Sequence, residues 1–331
     1  MKAIIPVAGI GSRLRPHTHT QPKSLIPVAG KPILGHILDQ LIQAGIEEMV
    51  FVIGYLGDKV EQFISTTYPN VKAEFVIQTT GKGIGHAIWL AKDLVGEEEL
   101  FIVLGDTIFE TDLKAVLNAE YSSLGVKKVD DPRQFGVAEV GENGFIVKLV
   151  EKPSIPISNL ALVGLYKIKE SQELFECLEY NIANNIKTQE EFHLTDALMM
   201  MIDKGIKMTT FDVENWFDCG KKDIILQTNQ LLLEHGNASN VKTGDYENVI
   251  IIPPVNISKS AVVKDSVVGP NVSVGDNAIV ERSILENTII GPYSHLENVV
   301  LKNSLIGNDA HLKGTIQSLN LGDSTEINFG S

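Results

Sequence analysis

Cysteine and aromatic residues are scarce in this sequence, and no hydrophobic run is long. The 331 residues include two cysteines, Cys177 and Cys219, and 6% aromatic residues. Two distant cysteines exclude a disulfide framework and have no metal-binding spacing, which fits a reducing compartment. The apolar start, residues 3–8, is too short for a signal peptide, and no segment approaches the roughly 18 residues of a membrane span. We therefore predict a soluble, cytoplasmic protein with no membrane partner.

Acidic residues are missing from the first 38 positions, although the whole chain has a net charge of -14. Such an acidic chain argues against a nucleic-acid partner. The same 38 positions carry five cations, so we predict a bound anion there, with chance clustering of solvated side chains as the alternative. The five cations are Lys2, Arg13, Arg15, Lys23 and Lys31.

Apolar strands and amphipathic helices alternate through the first 235 residues. Segments such as "KAIIPVAG", "EEMVFVIG" and "ELFIVLGD" read as buried strands, and "PILGHILDQLIQAG" reads as a helix. This alternation predicts a parallel sheet covered on both faces. Asn143-Gly144 within "FGVAEVGENGFIVKLVEKP" predicts an antiparallel hairpin. In "LTDALMMMIDKG" we predict a helix with Thr195 as its N-cap. The fold class is α/β, with a Rossmann-like mixed, mainly parallel sheet.

The spacing of the hydrophobic residues changes after about residue 248. Small aliphatic residues recur every five or six positions, which is typical of the hexapeptide repeats of a left-handed parallel β-helix. We predict a domain at 1–236, a linker at 237–247 and a β-helix at 248–331. The predicted inward residues are Ile257, Val263, Val268, Val274, Val280, Leu285, Ile290, Leu296, Leu301, Ile306 and Leu312.

A glycine-bearing turn follows the first strand in "PVAGIGSRLRP". Glycines let backbone N–H groups approach an anion without an obstructing Cβ. The turn is not a Walker A loop, and Leu14 stands where a dinucleotide fingerprint needs its third glycine. The glycines alone are therefore weak evidence for any one ligand.

Six segments in order resemble the sugar-1-phosphate nucleotidylyltransferases, over residues 1–235. They are "AGIGSRLRP" with "QPKSLIPVAGKPIL", "IQTTGKGIGHA", "VLGDTIF", "FGVAEV" with "VKLVEKP", "NLALVGLYKI" and "NWFDCGKK". The resemblance implies an enzyme of the EC 2.7.7 type. In that family a sugar 1-phosphate attacks the α-phosphorus of a nucleoside triphosphate and pyrophosphate leaves. Many members also carry a trailing β-helix.

The resemblance also implies roles for individual residues. The implied nucleotide-binding residues are Ala8, Gly9, Gly11, Ser12, Arg13, Gln78 and Gly83. Lys23 would offset charge near the reacting phosphates, and Asp106 with Asp218 would hold Mg²⁺. Those three, with Arg13 and Lys152, are the implied catalytic residues. The implied sugar-phosphate residues are Gly136, Glu151, Lys152, Asn159 and Gly164.

The resemblance implies glucose 1-phosphate with dTTP or UTP as the substrates. Thr107 after Asp106 departs from the Asn of some thymidylyltransferases, so the choice between the nucleotides stays open. The alternatives are an N-acetylglucosamine-1-phosphate uridylyltransferase, a hexapeptide acyltransferase using His295 or His311, and a non-catalytic regulatory homologue. We also predict a homo-oligomer formed through the β-helix.

Overall fold

A computed structural model of the protein describes residues 1–236 and 246–315. The chain divides into two compact units, Met1–Thr228 and Asn229–Ser331. The predicted linker at 237–247 lies mostly outside the described residues, so the predicted domain limits stay predictions. Within the described residues, no helix is long and apolar enough to cross a membrane.

The first unit contains thirteen strands among its described residues. They are β1 (Lys2–Pro6), β2 (Pro27–Val28), β3 (Lys31–Pro32), β4 (Glu48–Ile53), β5 (Lys72–Ile77), β6 (Leu100–Val103), β7 (Thr107–Glu110), β8 (Ser122–Lys128), β9 (Gly136–Val140), β10 (Ile146–Glu151), β11 (Leu160–Ile168), β12 (Met208–Asp212) and β13 (Asn215–Asp218).

Helices alternate with these strands. They are α1 (Ile33–Gln43), α2 (Gly57–Thr67), α3 (Ile84–Leu90), α4 (Lys92–Val95), α5 (Leu113–Leu117), α6 (Ser171–Ala183), α7 (Leu194–Asp203) and α8 (Lys222–His235). Three short 3-10 turns, Ser12–Leu14, His17–His19 and Lys23–Leu25, follow β1. The division between the two units falls within α8.

The main sheet has the strand order β10-β9-β11-β6-β1-β4-β5, and β8 joins β11 to β12. Strands β6, β1, β4 and β5 are parallel, whereas β9, β10 and β11 pair antiparallel. The predicted mixed, mainly parallel α/β sheet and its hairpin are thus confirmed. The central parallel strands β6, β1 and β4 are almost wholly buried because helices cover both faces, as at Ile4, Val50 and Ile102, whereas the edge strand β5 is partly exposed.

Strand β1 lies between β6 and β4, so the chain order reverses beside it. Ligands of open α/β sheets bind at such a reversal, outside the carboxyl ends of the strands. The glycine turn follows β1 there, and Asp106 follows β6. A Cβ on Gly105 would lie 2.2 Å from Val7 Cγ1, so the two loops meet only because residue 105 is glycine.

The second unit is built of short parallel strands on three faces. They are β14 (Ile250–Ile251), β15 (Val255–Ile257), β16 (Val262–Lys264), β17 (Val267–Val268), β18 (Val272–Val274), β19 (Ile279–Glu281), β20 (Ile284–Ile290), β21 (His295–Glu297), β22 (Val300–Ile306) and β23 (His311–Lys313). Strands one coil apart pair in parallel, for example Val263 with Val280 and Val280 with Leu296. The predicted parallel β-helix is confirmed.

The interior of this unit is the predicted aliphatic set. All eleven predicted inward residues belong to its core or pack against it. The corners use left-handed backbone, for example at Asn271, Asn287 and Asn303. Asparagine adopts this conformation more easily than other residues with a Cβ, which explains its frequency in this half of the chain.

Candidate active site

The turn after β1 forms one wall of a cavity of about 450 Å³. Gly11 has a left-handed φ of 66°, and a Cβ there would lie 2.9 Å from Thr18 Cγ2. The Thr18 hydroxyl donates a 2.8 Å hydrogen bond to the Gly11 carbonyl. A Cβ on Gly9, in contrast, would meet nothing within 4 Å. The fold therefore requires glycine at 11, whereas Gly9 borders open space. The cavity lining includes Ala8, Gly9, Gly11 and Ser12.

Asp106 and Asp218 are brought together by a two-stranded ribbon. Asp218 of β13 pairs with Thr107 of β7. The Cys219 amide donates a 3.1 Å hydrogen bond to the Asp106 carbonyl. Both carboxylates accept hydrogen bonds from the Lys23 ammonium group: a short one to Asp106 Oδ2 and one of 3.3 Å to Asp218 Oδ1. Three predicted catalytic residues thus meet at one point.

The Lys23 side chain is only 10% exposed. Burial by itself would lower the pKa of Lys23, but the charges of Asp106 and Asp218 and their hydrogen bonds outweigh it and raise that pKa. The ammonium group therefore stays charged and holds both carboxylates.

Two carboxylates that converge on one cationic group also suit a hard divalent cation such as Mg²⁺. Over residues 1–236 and 246–315, no group of three or more His, Cys, Asp or Glu side chains could hold a metal ion. The protein would therefore supply Asp106 and Asp218, and the remaining ligands would be phosphate oxygens or water.

Arg13 lies on the other side of Asp218. Its Nη2 is 3.7 Å from Asp218 Oδ2, and 56% of its side chain is exposed. A Cβ on Gly220 would lie 2.6 Å from that nitrogen, so glycine at this position lets the guanidinium rest against the backbone. Arg13 is therefore held beside the acidic pair and retains donors for a phosphate.

Gln78 and Gly83 line the 450 Å³ cavity together. Gln78 Nε2 donates to the Gly83 carbonyl at 3.2 Å and lies 3.1 Å from His86 Nδ1. A carbonyl can only accept, so this contact fixes which end of the Gln78 amide is nitrogen. Gly83 has a φ of 96°, and a Cβ there would lie 2.5 Å from the Phe192 carbonyl.

A second cavity, of about 880 Å³, adjoins the first. The two linings share Ile84, Leu104, Asp106 and Glu191. The larger cavity contains four of the five predicted sugar-phosphate residues: Gly136, Glu151, Lys152 and Gly164. Asn159 belongs to neither lining; it is exposed, and its carbonyl accepts from the Val129 amide at 3.1 Å. Its assignment to the sugar pocket stays a prediction.

The Glu151 carboxylate is buried in the larger cavity, at 10% exposure. The Thr195 hydroxyl donates to its Oε2 at 2.6 Å. His193 Nδ1 lies 3.5 Å and Lys152 Nζ 3.9 Å from its Oε1. Lys152 has a φ of 41°, an uncommon conformation for a residue with a Cβ other than Asn or Asp. Three side chains, Thr195, His193 and Lys152, therefore surround the Glu151 carboxylate.

Several lining residues were not predicted from the sequence. The prediction of Thr195 as an N-cap is wrong: α7 begins at Leu194, and the Thr195 hydroxyl binds Glu151 instead. Phe135 and Trp216 form an edge-to-face pair with centroids 4.8 Å apart. For Thr195 the only signal was its position, because a polar residue within the first turn of a helix can point into a site.

Two further groups near the site are neutral. Burial raises the pKa of the Tyr166 hydroxyl, and the Glu151 charge adds to this effect. Burial raises the pKa of the Cys219 thiol to about 12. Neither group therefore offers an anionic nucleophile.

A family model described as "Nucleotidyl transferase" matches residues 2–235, and one described as "GlmU-like, C-terminal hexapeptide" matches residues 235–294. The chain is 33% identical to the low-salt glycan biosynthesis nucleotidyltransferase Agl11 of Haloferax volcanii, over 88% of this chain and 87% of that one. It is 30% identical to a glucose-1-phosphate thymidylyltransferase of Streptomyces griseus, with the same two coverages.

A third relative is the bifunctional protein GlmU of Methanocaldococcus jannaschii, 36% identical over 79% of this chain. The chain spans 61% of the length of that protein. Among solved structures, a UDP-glucose pyrophosphorylase complexed with UDP-glucose superposes with a TM-score of 0.61 and 26% identity, over 71% of this chain and 99% of that one. The chain therefore belongs to the nucleotidyl transferase family, among the sugar-1-phosphate nucleotidylyltransferases, and carries a C-terminal hexapeptide region.

Proposed function

We propose that the enzyme transfers a uridylyl or thymidylyl group from UTP or dTTP to glucose 1-phosphate. The observation that carries this proposal is the meeting of the two cavities at Asp106. The smaller cavity holds the glycine turn and Gln78, and the larger holds Glu151 and Lys152. A nucleotide in the first and a sugar phosphate in the second would bring their phosphates together beside Lys23.

The orientation of Gln78 supports a uracil or thymine base. Its amide nitrogen is used within the protein, which leaves Oε1 as the atom for a ligand. An oxygen acceptor suits the N3–H group of uracil or thymine, whereas cytosine has an unprotonated acceptor at that position. UTP and dTTP are therefore favoured over CTP, and this contact does not distinguish between the two.

The reaction is an in-line displacement at phosphorus. An oxygen of the sugar phosphate forms a bond to the α-phosphorus, and the bond from that phosphorus to the pyrophosphate oxygen breaks. The backbone of Gly9, Gly11 and Ser12 would bind the triphosphate, with Arg13 on its outer phosphates. Lys23 would offset charge at the reacting phosphates, and Lys152 would bind the sugar phosphate. Catalysis is then mainly positioning and charge stabilisation, without a covalent enzyme intermediate.

Magnesium fits the acidic pair, and Asp106 with Asp218 would hold it. When bound, the ion would neutralise phosphate charge at the site of transfer. Without it, Lys23 keeps the two carboxylates converged.

A substrate panel tests the proposed function. Purified protein with Mg²⁺ is mixed with each nucleoside triphosphate and with glucose 1-phosphate, galactose 1-phosphate or N-acetylglucosamine 1-phosphate, and released pyrophosphate is measured. We expect release with glucose 1-phosphate and UTP or dTTP. A preference for N-acetylglucosamine 1-phosphate would support the alternative uridylyltransferase, and no release with any pair would refute the catalytic proposal.

We also propose that the chain forms a homo-oligomer through the β-helix. An outward aliphatic column supports this: Ile250, Val267, Ile284 and Val300 occupy the same position of four successive coils. Three of them are strongly exposed, at 61%, 49% and 75% for Ile250, Ile284 and Val300. Beside the column, Glu286 and Lys302 form a 2.7 Å ion pair. Opposite charges side by side could pair reciprocally with a second copy related by a two-fold axis.

Light scattering tests this assembly. Ile284→Lys and Val300→Lys place charge on the column, and we expect both to lower the molecular mass of the particle. Val262→Lys is the matched control, because Val262 is 41% exposed on another face. A monomeric wild type, or an unchanged mass in both column variants, would contradict the proposal.

The acyltransferase alternative gains no support from the two histidines on which it rests. His295 and His311 occupy the same position of successive coils, and their ring centroids are 6.0 Å apart. This arrangement is that of a side-chain ladder on one sheet face, so we do not propose acyl transfer.

A further inference from the structure

His193 is buried between two carboxylates at the wall of the larger cavity. Its side chain is about 6% exposed, with Nδ1 3.5 Å from Glu151 Oε1 and Nε2 4.0 Å from Glu191 Oε2. Nε2 is buried and has no hydrogen-bond partner within the part of the chain that the structure describes. Burying a polar ring nitrogen without a partner costs free energy, so its retention here calls for a role beyond packing.

The backbone beside His193 is fastened to the turn that carries Gly83. The Phe192 amide donates to the Lys82 carbonyl at 2.9 Å, and the Gly85 amide donates to the Phe192 carbonyl at 2.8 Å. A Cβ on Gly83 would lie 2.5 Å from the oxygen of the same Phe192 carbonyl. The turn beside Gln78 and the residue before His193 are therefore one hydrogen-bonded unit.

The next residues of this segment contact Glu151 in the larger cavity. Thr195 donates to Glu151 Oε2, while His193 Nδ1 faces Oε1 of the same carboxylate. Glu191, two residues earlier, lies in the lining of both cavities. Within five residues the chain thus passes from the base-binding turn to the carboxylate assigned to the sugar.

We propose that His193 is a positioning residue that couples the nucleotide-binding turn to Glu151. The inference rests on the proposed function, which assigns Glu151 to sugar hydroxyls. A nucleobase bound at the turn holds residues 191–195, and His193 transmits this order to the Glu151 carboxylate. The sugar phosphate then meets a carboxylate that is already ordered, so its affinity rises when the nucleotide site is filled.

A set of three variants separates the two ring nitrogens. The Asn side-chain nitrogen in His193→Asn takes the place of Nδ1 and keeps the contact with Glu151. In His193→Gln the amide nitrogen takes the place of Nε2 and loses that contact. His193→Phe keeps an aromatic ring but loses both ring nitrogens. If the Nδ1 contact is the coupling element, only Asn should retain it.

Titration calorimetry measures the coupling directly. Glucose 1-phosphate is titrated without Mg²⁺, in the absence and presence of uridine or thymidine, which carry the base but no phosphate to repel the sugar phosphate. We expect the nucleoside to tighten glucose 1-phosphate binding severalfold in the wild type and His193→Asn, and not in His193→Gln or His193→Phe. Nucleoside affinity itself should stay within about twofold of wild type in all of them.

Steady-state kinetics gives a second readout. In His193→Gln, KM for glucose 1-phosphate should rise roughly tenfold, the usual effect of losing a contact to a charged group, while KM for the nucleotide stays nearly constant. No coupling in the wild type, or equal behaviour of the Asn and Gln variants, would overturn the inference. If the wild type turns over no substrate pair yet shows the expected calorimetric pattern, the proposed function fails and the coupling by His193 stands.

Discussion

The Cys219 amide donates a 3.1 Å hydrogen bond to the Asp106 carbonyl, and this contact sets the two aspartates of the site side by side. Asp218 immediately precedes Cys219 and pairs across the ribbon with Thr107, which follows Asp106. The backbone pairing of β7 and β13 therefore fixes the distance between the two carboxylates, and Lys23 then bridges them.

Neutralising either aspartate should abolish most turnover. Asp106→Asn and Asp218→Asn each remove one charge from the proposed Mg²⁺ site, and we expect kcat to fall by about 100-fold or more. Pyrophosphate release over a range of Mg²⁺ concentrations checks this. Asp93→Asn, at an exposed position of α4, is the control and should retain wild-type activity. Wild-type rates in both site variants would refute the metal assignment.

Replacing Lys23 by methionine should separate its catalytic role from its structural one. The variant Lys23→Met keeps an unbranched side chain, one heavy atom shorter, but leaves Asp106 and Asp218 facing each other without a cation. We expect kcat to fall by roughly 100-fold to 1000-fold. Without Mg²⁺ the variant should also melt at a lower temperature, because two close carboxylates repel. Added Mg²⁺ should raise the melting temperature of the variant, measured by calorimetry, more than that of the wild type. A smaller rise in the variant than in the wild type would mean that Lys23 is merely a packing residue.

Two glycines of the first turn should respond differently to the same substitution. Gly11→Ala forces a Cβ into left-handed backbone and against Thr18, so the free energy of unfolding should fall by about 1–3 kcal/mol. Gly9→Ala meets no protein atom within 4 Å and should leave stability unchanged. It should instead raise KM for the nucleotide, since its methyl group occupies space proposed for the triphosphate. Equal melting temperatures of the two variants would contradict this distinction.

Adjacent residues of the β-helix provide a test of which side chains face inward. Leu285 is fully buried, whereas Ile284 is 49% exposed. Leu285→Ala should reduce the free energy of unfolding by about 2–5 kcal/mol through lost burial and a residual cavity. Ile284→Ala should change it by less than about 1 kcal/mol. Chemical denaturation of both variants checks the strand register, and a reversed order would mean that it is shifted by one residue.

Features with a local signal were predicted well. The Asn143-Gly144 turn forms the β9–β10 hairpin, with Gly144 at a φ of 80°. The aliphatic repeat after residue 248 gave the interior of the second unit. Strands β8 and β12 and helix α6 were not predicted. The β8–β12 pairing is parallel and joins segments more than 80 residues apart, and no local pattern encodes it.

The residues of the site also divide into those that a local sequence pattern indicates and those that it does not. The glycine turn, Lys23, Asp106 and Glu151 could be proposed because each lies in a recognisable segment. Thr195 and His193 could not, because their role depends on a carboxylate that β10 places beside the start of α7. Asn159 is the opposite case: it lies in a matching segment, but the structure places it in the lining of neither cavity.

The sequence by itself determined the two architectures, the turn conformations and the residue types of an anion-binding site. Side-chain periodicity and glycine content act over a few residues, so they are readable without a structure. Only the tertiary structure decided which charges meet. Lys23 reaches Asp218 across 195 residues because β1, β6 and the β7–β13 ribbon converge at one edge of the sheet. That convergence depends on strand order and long-range pairing, which local sequence patterns do not specify.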